Sequence, residues 1–133
     1  MLADEQTRRE LVSLIDATYE AMSTPGSNVG AIFGADDITI AGSGQQELWS
    51  GPDEVVGAAR VVSSWGFRWI PETVTVWRRG EVAWAQILGS VRIAREDDEE
   101  RVPYWTTGVF GRDDGQWRWL YWGGSEPQES PRV

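Results

Sequence analysis

The first part of the chain places its apolar residues at helical spacing. Positions 11, 14, 15, 18, 19 and 22 follow the i, i+3, i+4 pattern, which predicts an amphipathic helix over residues 7–22. Thr7 and Glu10 have the spacing of a capping box at its start, and Pro25 and Gly26 end it. The inward face of this helix is predicted to consist of Leu11, Leu14, Ile15, Thr18, Tyr19 and Met22.

Two shorter helices and one strand are predicted next. Residues 28–33 predict a short helix, and residues 38–41 predict a first strand that ends in a turn-rich loop. Pro52 suits the first turn of a third helix, and Asp53 and Glu54 favour the positive end of its dipole. This helix is expected to run to about Ser64.

The remaining residues alternate between apolar and polar, which is typical of strands. Predicted strands cover residues 67–78, 82–95, 102–111 and 116–122, with the acidic run at 96–100 as a hairpin loop. Helices followed by an antiparallel meander predict an α+β fold, with three helices packed on one face of a curved, mostly antiparallel sheet. We expect a single domain over residues 1–127 and a loose C-terminal tail over residues 128–133.

The charge of the chain narrows its possible partners. A net charge of −9 and an isoelectric point near 4.4 argue against nucleic acid or an anionic membrane, because both need a basic surface. No run approaches the roughly 18 apolar residues of a membrane span. Residues 1–10 lack the apolar segment of a signal peptide, so we expect a cytoplasmic protein.

His and Cys are both absent from the sequence. This excludes a Ser-His-Asp triad, a Cys-His pair and a metal site built on His. The acid–base groups that remain are Asp, Glu and Tyr, and any metal would need oxygen ligands. The acidic run at 96–100 lacks the spacing of a calcium loop, so a metal site there is a minor alternative to a solvated hairpin tip. We expect no cofactor and no metal.

Four short motifs follow the predicted elements in order. They are VGAIFGADDITIAG, ELWSGPDEV, RRGEVAWAQ and DDGQWRWLYWGGSEP, and together they span residues 7–127 with the first helix. Their order resembles the nuclear transport factor 2-like superfamily, and within it the SnoaL-like domains. The resemblance implies a cone-shaped domain whose sheet wraps around the first helix. It also implies a pocket between the helices and the concave sheet face, and frequent dimers through the convex face.

The resemblance also indicates where catalytic groups of the family would lie. In the ketosteroid isomerases the general-base Asp aligns near Gly42, and the two oxyanion donors align near Thr18 and Thr107. Other relatives carry His on the last strand, where this chain has Tyr121 and Gly123. Because these groups are replaced, the chemistry of those relatives is not expected here.

Charged candidates for a site are few. The predicted strands 82–95, 102–111 and 116–122 contain no Asp or Glu. The remaining candidate carboxylates are Glu72, Glu47, Asp16 and Glu20. For each of them a solvated surface position is the more common case.

Four arginines lie in predicted strands and could hold an anionic ligand. They are Arg68, Arg78, Arg92 and Arg118. The simpler interpretation is that their stems cover apolar surface on a partly exposed sheet face.

Trp is frequent, with 9 in 133 residues. Core and dimer packing accounts for most of them, because each Trp buries on the order of 200 Å². The sharper hypothesis is an aromatic-lined pocket for a largely apolar ligand. Its predicted lining is Tyr19, Trp49, Trp69, Trp84, Gln86, Tyr104, Trp119 and Tyr121.

The last strand carries large aromatic residues on both of its faces. Alternation predicts that Trp117, Trp119 and Tyr121 share one face. The opposite face is predicted to carry Arg118, Leu120 and Trp122. A sheet that is apolar on both faces has to be covered on both, which predicts a homodimer through the outer sheet face.

Two functional hypotheses remain open. The first is a small-molecule-binding SnoaL-like domain with an aromatic-lined pocket and an accessory or ligand-binding role. The second is a cyclase- or isomerase-like enzyme on a polyketide- or terpenoid-type apolar substrate, with Tyr19 and Glu72 as catalytic candidates. We favour the first because the strands are poor in carboxylates, which such reactions use as bases. Whether the protein is an enzyme stays open.

Overall fold

A computed structural model describes residues 1–129, which contain three helices and six strands. The elements are α1 (Glu5–Met22), α2 (Val29–Ile32), β1 (Thr39–Ala41), β2 (Leu48–Ser50), α3 (Pro52–Ser64), β3 (Arg68–Arg79), β4 (Val82–Ala94), β5 (Glu99–Asp113) and β6 (Gln116–Ser125). The α+β class and the three predicted helices are confirmed. None of the helices within this range is long and apolar enough to cross a membrane. Most of the predicted loose tail lies outside the described residues.

The first helix begins two residues earlier than predicted, because Asp4 caps it. One oxygen of the Asp4 carboxylate accepts the backbone N–H of Thr7 at 2.8 Å, and the other accepts the Thr7 hydroxyl at 3.1 Å. The predicted capping box of Thr7 and Glu10 is therefore wrong, and Glu10 instead accepts the indole N–H of Trp117 at 3.3 Å. The hydrogen bonds from Thr7 hold the pKa of Asp4 below its ordinary value, since they favour the ionised carboxylate.

The six strands form one sheet in the order β2-β1-β6-β5-β4-β3. Neighbouring strands are antiparallel, except that β1 runs parallel to β6. The sequence does not predict β2, because its three residues lie at the sheet edge and are too few to show alternation. The result is a curved, mostly antiparallel sheet, as expected.

The strand β5 begins inside the acidic run that the sequence assigns to a hairpin loop. Glu99 and Glu100 pair with the end of β4 and shorten the loop between the strands to residues 95–98. Arginines in this hairpin neutralise both carboxylates: Glu99 lies 3.4 Å from the guanidinium of Arg92, and Glu100 bonds to Arg95. Part of the acidic run is therefore strand, and ion pairs with Arg92 and Arg95 stabilise it there.

A β-bulge in β6 changes which of its side chains face inward. The pairing with β5 skips Leu120, which makes it an extra residue in the strand. Trp117 and Trp119 are buried before the bulge and Trp122 is buried after it. Tyr121, next to Trp122, faces outward. The predicted division of this strand into two faces is therefore correct up to Trp119 and wrong for Tyr121 and Trp122, since the extra residue shifts the period of two by one position.

Regular alternation along β4 separates the two faces of the sheet. The residues buried on its concave face are Ala83, Ala85, Ile87 and Val91. Trp84, Gln86 and Leu88 face the opposite way and are half-buried. The core lies between the concave face and α1, whose predicted inward face is buried there, with Leu14 at its margin.

Candidate functional site

A cavity of about 210 Å³ lies between α3, the end of α1 and the concave face of the sheet. Its wall includes five large aromatic residues with a polar atom: Trp49, Trp65, Trp69, Tyr104 and Trp122. An engineered apolar cavity of about 150 Å³ holds benzene. This cavity is larger, so it has room for a molecule of one or two rings.

The two sides of the cavity come from a sheet and a helix. Side chains two apart on each strand line it, because alternate residues face the helices. The strand residues are Val91 and Ile93 from β4 with Val102 and Tyr104 from β5. The residues from α3 are Ala58, Ala59 and Val62. The small alanine side chains on the helix leave space that a larger residue would fill.

Three aromatic rings form a packed cluster in the wall. Trp69 meets Tyr104 edge to face at 5.0 Å between ring centroids and meets Trp122 at 6.1 Å. Tyr104 and Trp122 are 5.8 Å apart in a tilted arrangement. Edge-to-face contacts of this kind fix the orientation of the rings. The indole N–H groups of Trp69 and Trp122 are buried and find no partner within residues 1–129, so ring packing holds the cluster.

The polar groups of the cavity are gathered near the hydroxyl of Tyr104. The hydroxyl of Ser43 donates to the Glu126 carboxylate at 3.1 Å, and the backbone N–H of Gly44 donates to the Glu47 carboxylate at 2.5 Å. Burial, together with the negative charges of Glu47 and Glu126, raises the pKa of Tyr104. The phenol therefore stays protonated beside two carboxylates.

Tyr104 lies directly against the backbone of β6. A Cβ on Gly124 would come within 2.1 Å of the Tyr104 hydroxyl and 2.6 Å of its ring. Only glycine permits this approach without moving the ring, so Gly124 helps to set the shape of the cavity.

Three of the predicted ligand-binding residues meet in the cavity: Trp49, Trp69 and Tyr104. Tyr19 lies behind this wall, where its ring meets Trp69 edge to face at 6.5 Å. Its hydroxyl donates to the hydroxyl of Thr106 at 2.8 Å. Burial raises the pKa of Tyr19 well above its ordinary value, so it stays protonated. Tyr19 supports the wall but does not line it.

Two other predicted residues lie on β6, away from the cavity. Trp119 is fully buried in the core, where its indole N–H donates to the Thr18 hydroxyl at 2.9 Å. Tyr121 faces outward as a consequence of the bulge at Leu120. Trp122 takes the cavity position that strict alternation gives to the other face.

Trp84 and Gln86 lie on the outer face of the sheet. Trp84 stacks on Trp77 with ring centroids 6.4 Å apart and planes inclined by 13°. Gln86 accepts a hydrogen bond from the Thr107 hydroxyl at 3.1 Å. Alternation correctly groups these residues on one face, but the sequence does not indicate which face is concave.

Of the four candidate carboxylates, only one lines the cavity. Glu72 forms an ion pair with Arg101 at 2.9 Å, and its side chain is 40% exposed outside the cavity. Asp16 and Glu20 are exposed on α1. Glu47 is the predicted carboxylate that lines the cavity. Within residues 1–129, no group of three or more acidic side chains is arranged to hold a metal ion.

The strand arginines lie elsewhere as well. Arg68 and Arg92 both pair with Glu99, at 3.3 and 3.4 Å. Arg78 reaches back to α1, and Arg118 is exposed. The described lining of the cavity contains no arginine, so it offers no cation to an anionic ligand.

The positions that align with isomerase groups carry other contacts here. Gly42 lines the cavity but supplies no side chain. Thr107 faces outward, and its neighbour Thr106 is the inward residue. Thr106 accepts a hydrogen bond from the hydroxyl of Tyr19, the residue next to the aligned Thr18. The side chains of Thr106 and Tyr19 therefore bond to each other. These positions provide neither a general base nor a free hydrogen-bond donor to the cavity.

The lining residues that sequence reasoning missed include Trp65, Trp122 and Glu126. Trp65 follows the end of α3, outside the helical pattern. Trp122 faces the cavity only because of the bulge in β6, and the alternation of apolar and polar residues does not indicate that bulge. Glu126 follows β6, which extends three residues beyond its predicted end. The adjacent Ser125 and Pro127, which carry the family resemblance, are the signal that could have marked it.

The fold and the cavity together define a class: an α+β cone with an aromatic cavity between its helices and its concave sheet face. A comparison of the sequence with protein-family models identifies the family. The SnoaL-like domain model matches residues 11–129, so the chain belongs to the SnoaL-like domain family. A search of curated protein sequences gives no significant match.

Solved structures agree on the fold. A nuclear transport factor 2-like protein of unknown function from Pseudomonas putida is 20% identical with a TM-score of 0.78, covering 97% of this chain and 92% of its own. A cystatin-like fold protein from Novosphingobium aromaticivorans is 16% identical with a TM-score of 0.78, covering 92% and 83%. A proposed dehydratase from Streptomyces avermitilis is 16% identical with a TM-score of 0.79, covering 91% and 96%. At these identities the similarity shows the cystatin-like cone alone.

Proposed function

We propose that this protein binds a small, largely apolar molecule in the cavity, in a ligand-binding or accessory role. The observation that carries the proposal is an aromatic wall around about 210 Å³ with few polar groups. Small-molecule sites are typically concave and mostly apolar, with a few polar groups that fix orientation. Trp and Tyr supply large, rigid contact areas to such a ligand.

A cyclase- or isomerase-like reaction is the second candidate, and one similar structure is described as a proposed dehydratase. Such a reaction would have to use Tyr104, Glu47 or Glu126, since Tyr19 and Glu72 do not line the cavity. Burial and the nearby carboxylates raise the pKa of Tyr104, which makes it a weaker acid. Binding without catalysis is therefore the reading that we favour.

Naphthylmethanol is a suitable neutral probe of the cavity. We expect one site per chain by isothermal titration calorimetry, with a Kd on the order of tens of micromolar. Trp65→Ala, which removes an aromatic lining residue, should weaken binding several-fold. Trp105→Ala, on the outer face of the sheet, is the matched control and should leave the Kd unchanged. Absence of binding at millimolar probe would contradict the proposal.

We also propose a homodimer through the outer sheet face. An apolar row crosses four strands there, because Trp77 pairs with Trp84, Trp84 with Val109, and Val109 with Tyr121. Trp105 on the same face is 42% exposed. Contiguous apolar surface of this kind supports an interface, and Trp at its centre would be a typical anchor.

Sedimentation equilibrium tests the dimer. At micromolar concentration we expect twice the chain mass of 14.9 kDa. Trp84→Arg places a charge in the row and should give the monomer, whereas Val61→Arg, at an exposed position of α3, should not. A monomeric wild-type protein at this concentration would contradict the proposal.

A further inference from the structure

The charged residues that line the cavity within residues 1–129 are all acidic. Glu47 and Glu126 contribute carboxylates to its lining, and no Lys or Arg lines it within the described part of the chain. An anionic ligand would meet uncompensated negative charge there, which disfavours its binding. The same charge favours a positively charged group.

These two carboxylates differ from three glutamates of the strands, which form ion pairs with arginines. Glu72 pairs with Arg101, Glu99 pairs with Arg68 and Arg92, and Glu100 pairs with Arg95. Neither cavity carboxylate forms an ion pair within residues 1–129. Arginine neutralises these three strand glutamates, but not the carboxylates of the cavity.

Their hydrogen bonds are to neutral groups and leave their charge in place. Glu126 accepts the Ser43 hydroxyl, and Glu47 accepts the Gly44 N–H. Each of these contacts occupies one carboxylate oxygen. Ser43 and Gly44 are consecutive in the chain, so the two carboxylates that they bind lie at the same end of the cavity, which Tyr104 also lines.

The aromatic wall favours the same kind of ligand. Trp49, Trp69 and Trp122 line the cavity together with these carboxylates. The face of a Trp ring attracts a cation more strongly than that of any other side chain. Apolar volume, indole rings and unneutralised carboxylates therefore occur in one site.

We propose that the ligand of this cavity is an apolar amine in its protonated form. Its ring system lies among the tryptophans, and its ammonium group lies at the end formed by Glu47, Glu126 and Tyr104. This inference rests on the proposed function and specifies the class of ligand for the same cavity.

Three probes of one shape test the inference: naphthylmethylamine, naphthylmethanol and naphthoate. At low salt and neutral pH, we expect the amine to bind about tenfold more tightly than the alcohol, and naphthoate about tenfold less tightly. The preference for the amine should shrink at high salt, because the carboxylates are partly exposed to solvent. Calorimetry measures the three dissociation constants.

A pair of double variants locates the charge. Glu47→Gln with Glu126→Gln keeps an amide oxygen to accept both hydrogen bonds and should reduce the amine's advantage from about tenfold to about twofold or less. Asp16→Asn with Glu20→Gln removes the same net charge from the exposed side of α1 and should preserve the preference.

The outcomes distinguish the amine inference from the proposed ligand-binding function. Equal binding of alcohol and amine by the wild-type protein would overturn the amine inference and leave the proposed ligand-binding function standing. A preference that survives in Glu47→Gln with Glu126→Gln would also overturn it, because the charge would then act from elsewhere. Failure of all three probes to bind would overturn both.

Discussion

Replacement of Trp119 by alanine is expected to lower the free energy of unfolding by about 3–5 kcal/mol. The side chain is fully buried, with Phe110 at 4.4 Å and Phe33 at 5.7 Å between ring centroids. Its indole N–H donates to the Thr18 hydroxyl, so the substitution also removes a buried hydrogen bond. A domain is typically stable by about 5–15 kcal/mol, so this loss would be a large fraction of the total.

Guanidinium unfolding followed by far-ultraviolet circular dichroism measures this change. Trp119→Phe keeps one ring in the core and should lose less, about 1–2 kcal/mol. Trp65→Ala is the matched control, because Trp65 is 51% exposed, and it should cost about 1 kcal/mol or less. A Trp119→Ala variant as stable as Trp65→Ala would show that β6 does not anchor the core in this way.

The elements could be predicted where the residue pattern is long and regular. The buried face of α1 extends over four turns, and β4 alternates along most of its length. Both patterns therefore stay recognisable even where single residues depart from them. β2 has three residues, and its existence depends on pairing with β1, which is a long-range contact. The start of α1 depends on which nearby acid reaches the Thr7 N–H, and Asp4 competes successfully with the predicted capping box.

The site could be predicted only in part, because its residues are selected by curvature and by a bulge. Alternation groups Trp84 with Gln86, but the choice of concave face depends on where the helices pack. The extra residue at Leu120 then exchanges Tyr121 for Trp122 in the inward position. Trp69 and Tyr104 could be proposed as lining residues from their aromatic type, but their contact across β4, which lies between their strands, depends on the curvature of the sheet. Glu126 depends on a strand end that alternation does not fix.

Replacement of Ala59 by phenylalanine should abolish binding to the cavity while the protein stays folded. Ala59 lies on α3, is 5% exposed and lines the cavity. Because a benzene molecule occupies a cavity of about 150 Å³, a phenyl ring at this position should take most of the space for a ligand. Calorimetry with naphthylmethanol should show at least about a tenfold loss of affinity, and the filled cavity should change the free energy of unfolding by no more than about 2 kcal/mol.

Two further variants make this result interpretable. Ala17→Phe makes the same substitution on the exposed side of α1 and should bind the probe like the wild-type protein. Ala58→Phe tests the same volume from the adjacent lining position, in case the ring at 59 strains the helix packing. Folded Ala59→Phe and Ala58→Phe proteins that both retain full affinity would place the ligand outside this cavity. Loss of affinity in both, with Ala17→Phe unaffected, would locate the ligand between α3 and the aromatic wall of the sheet.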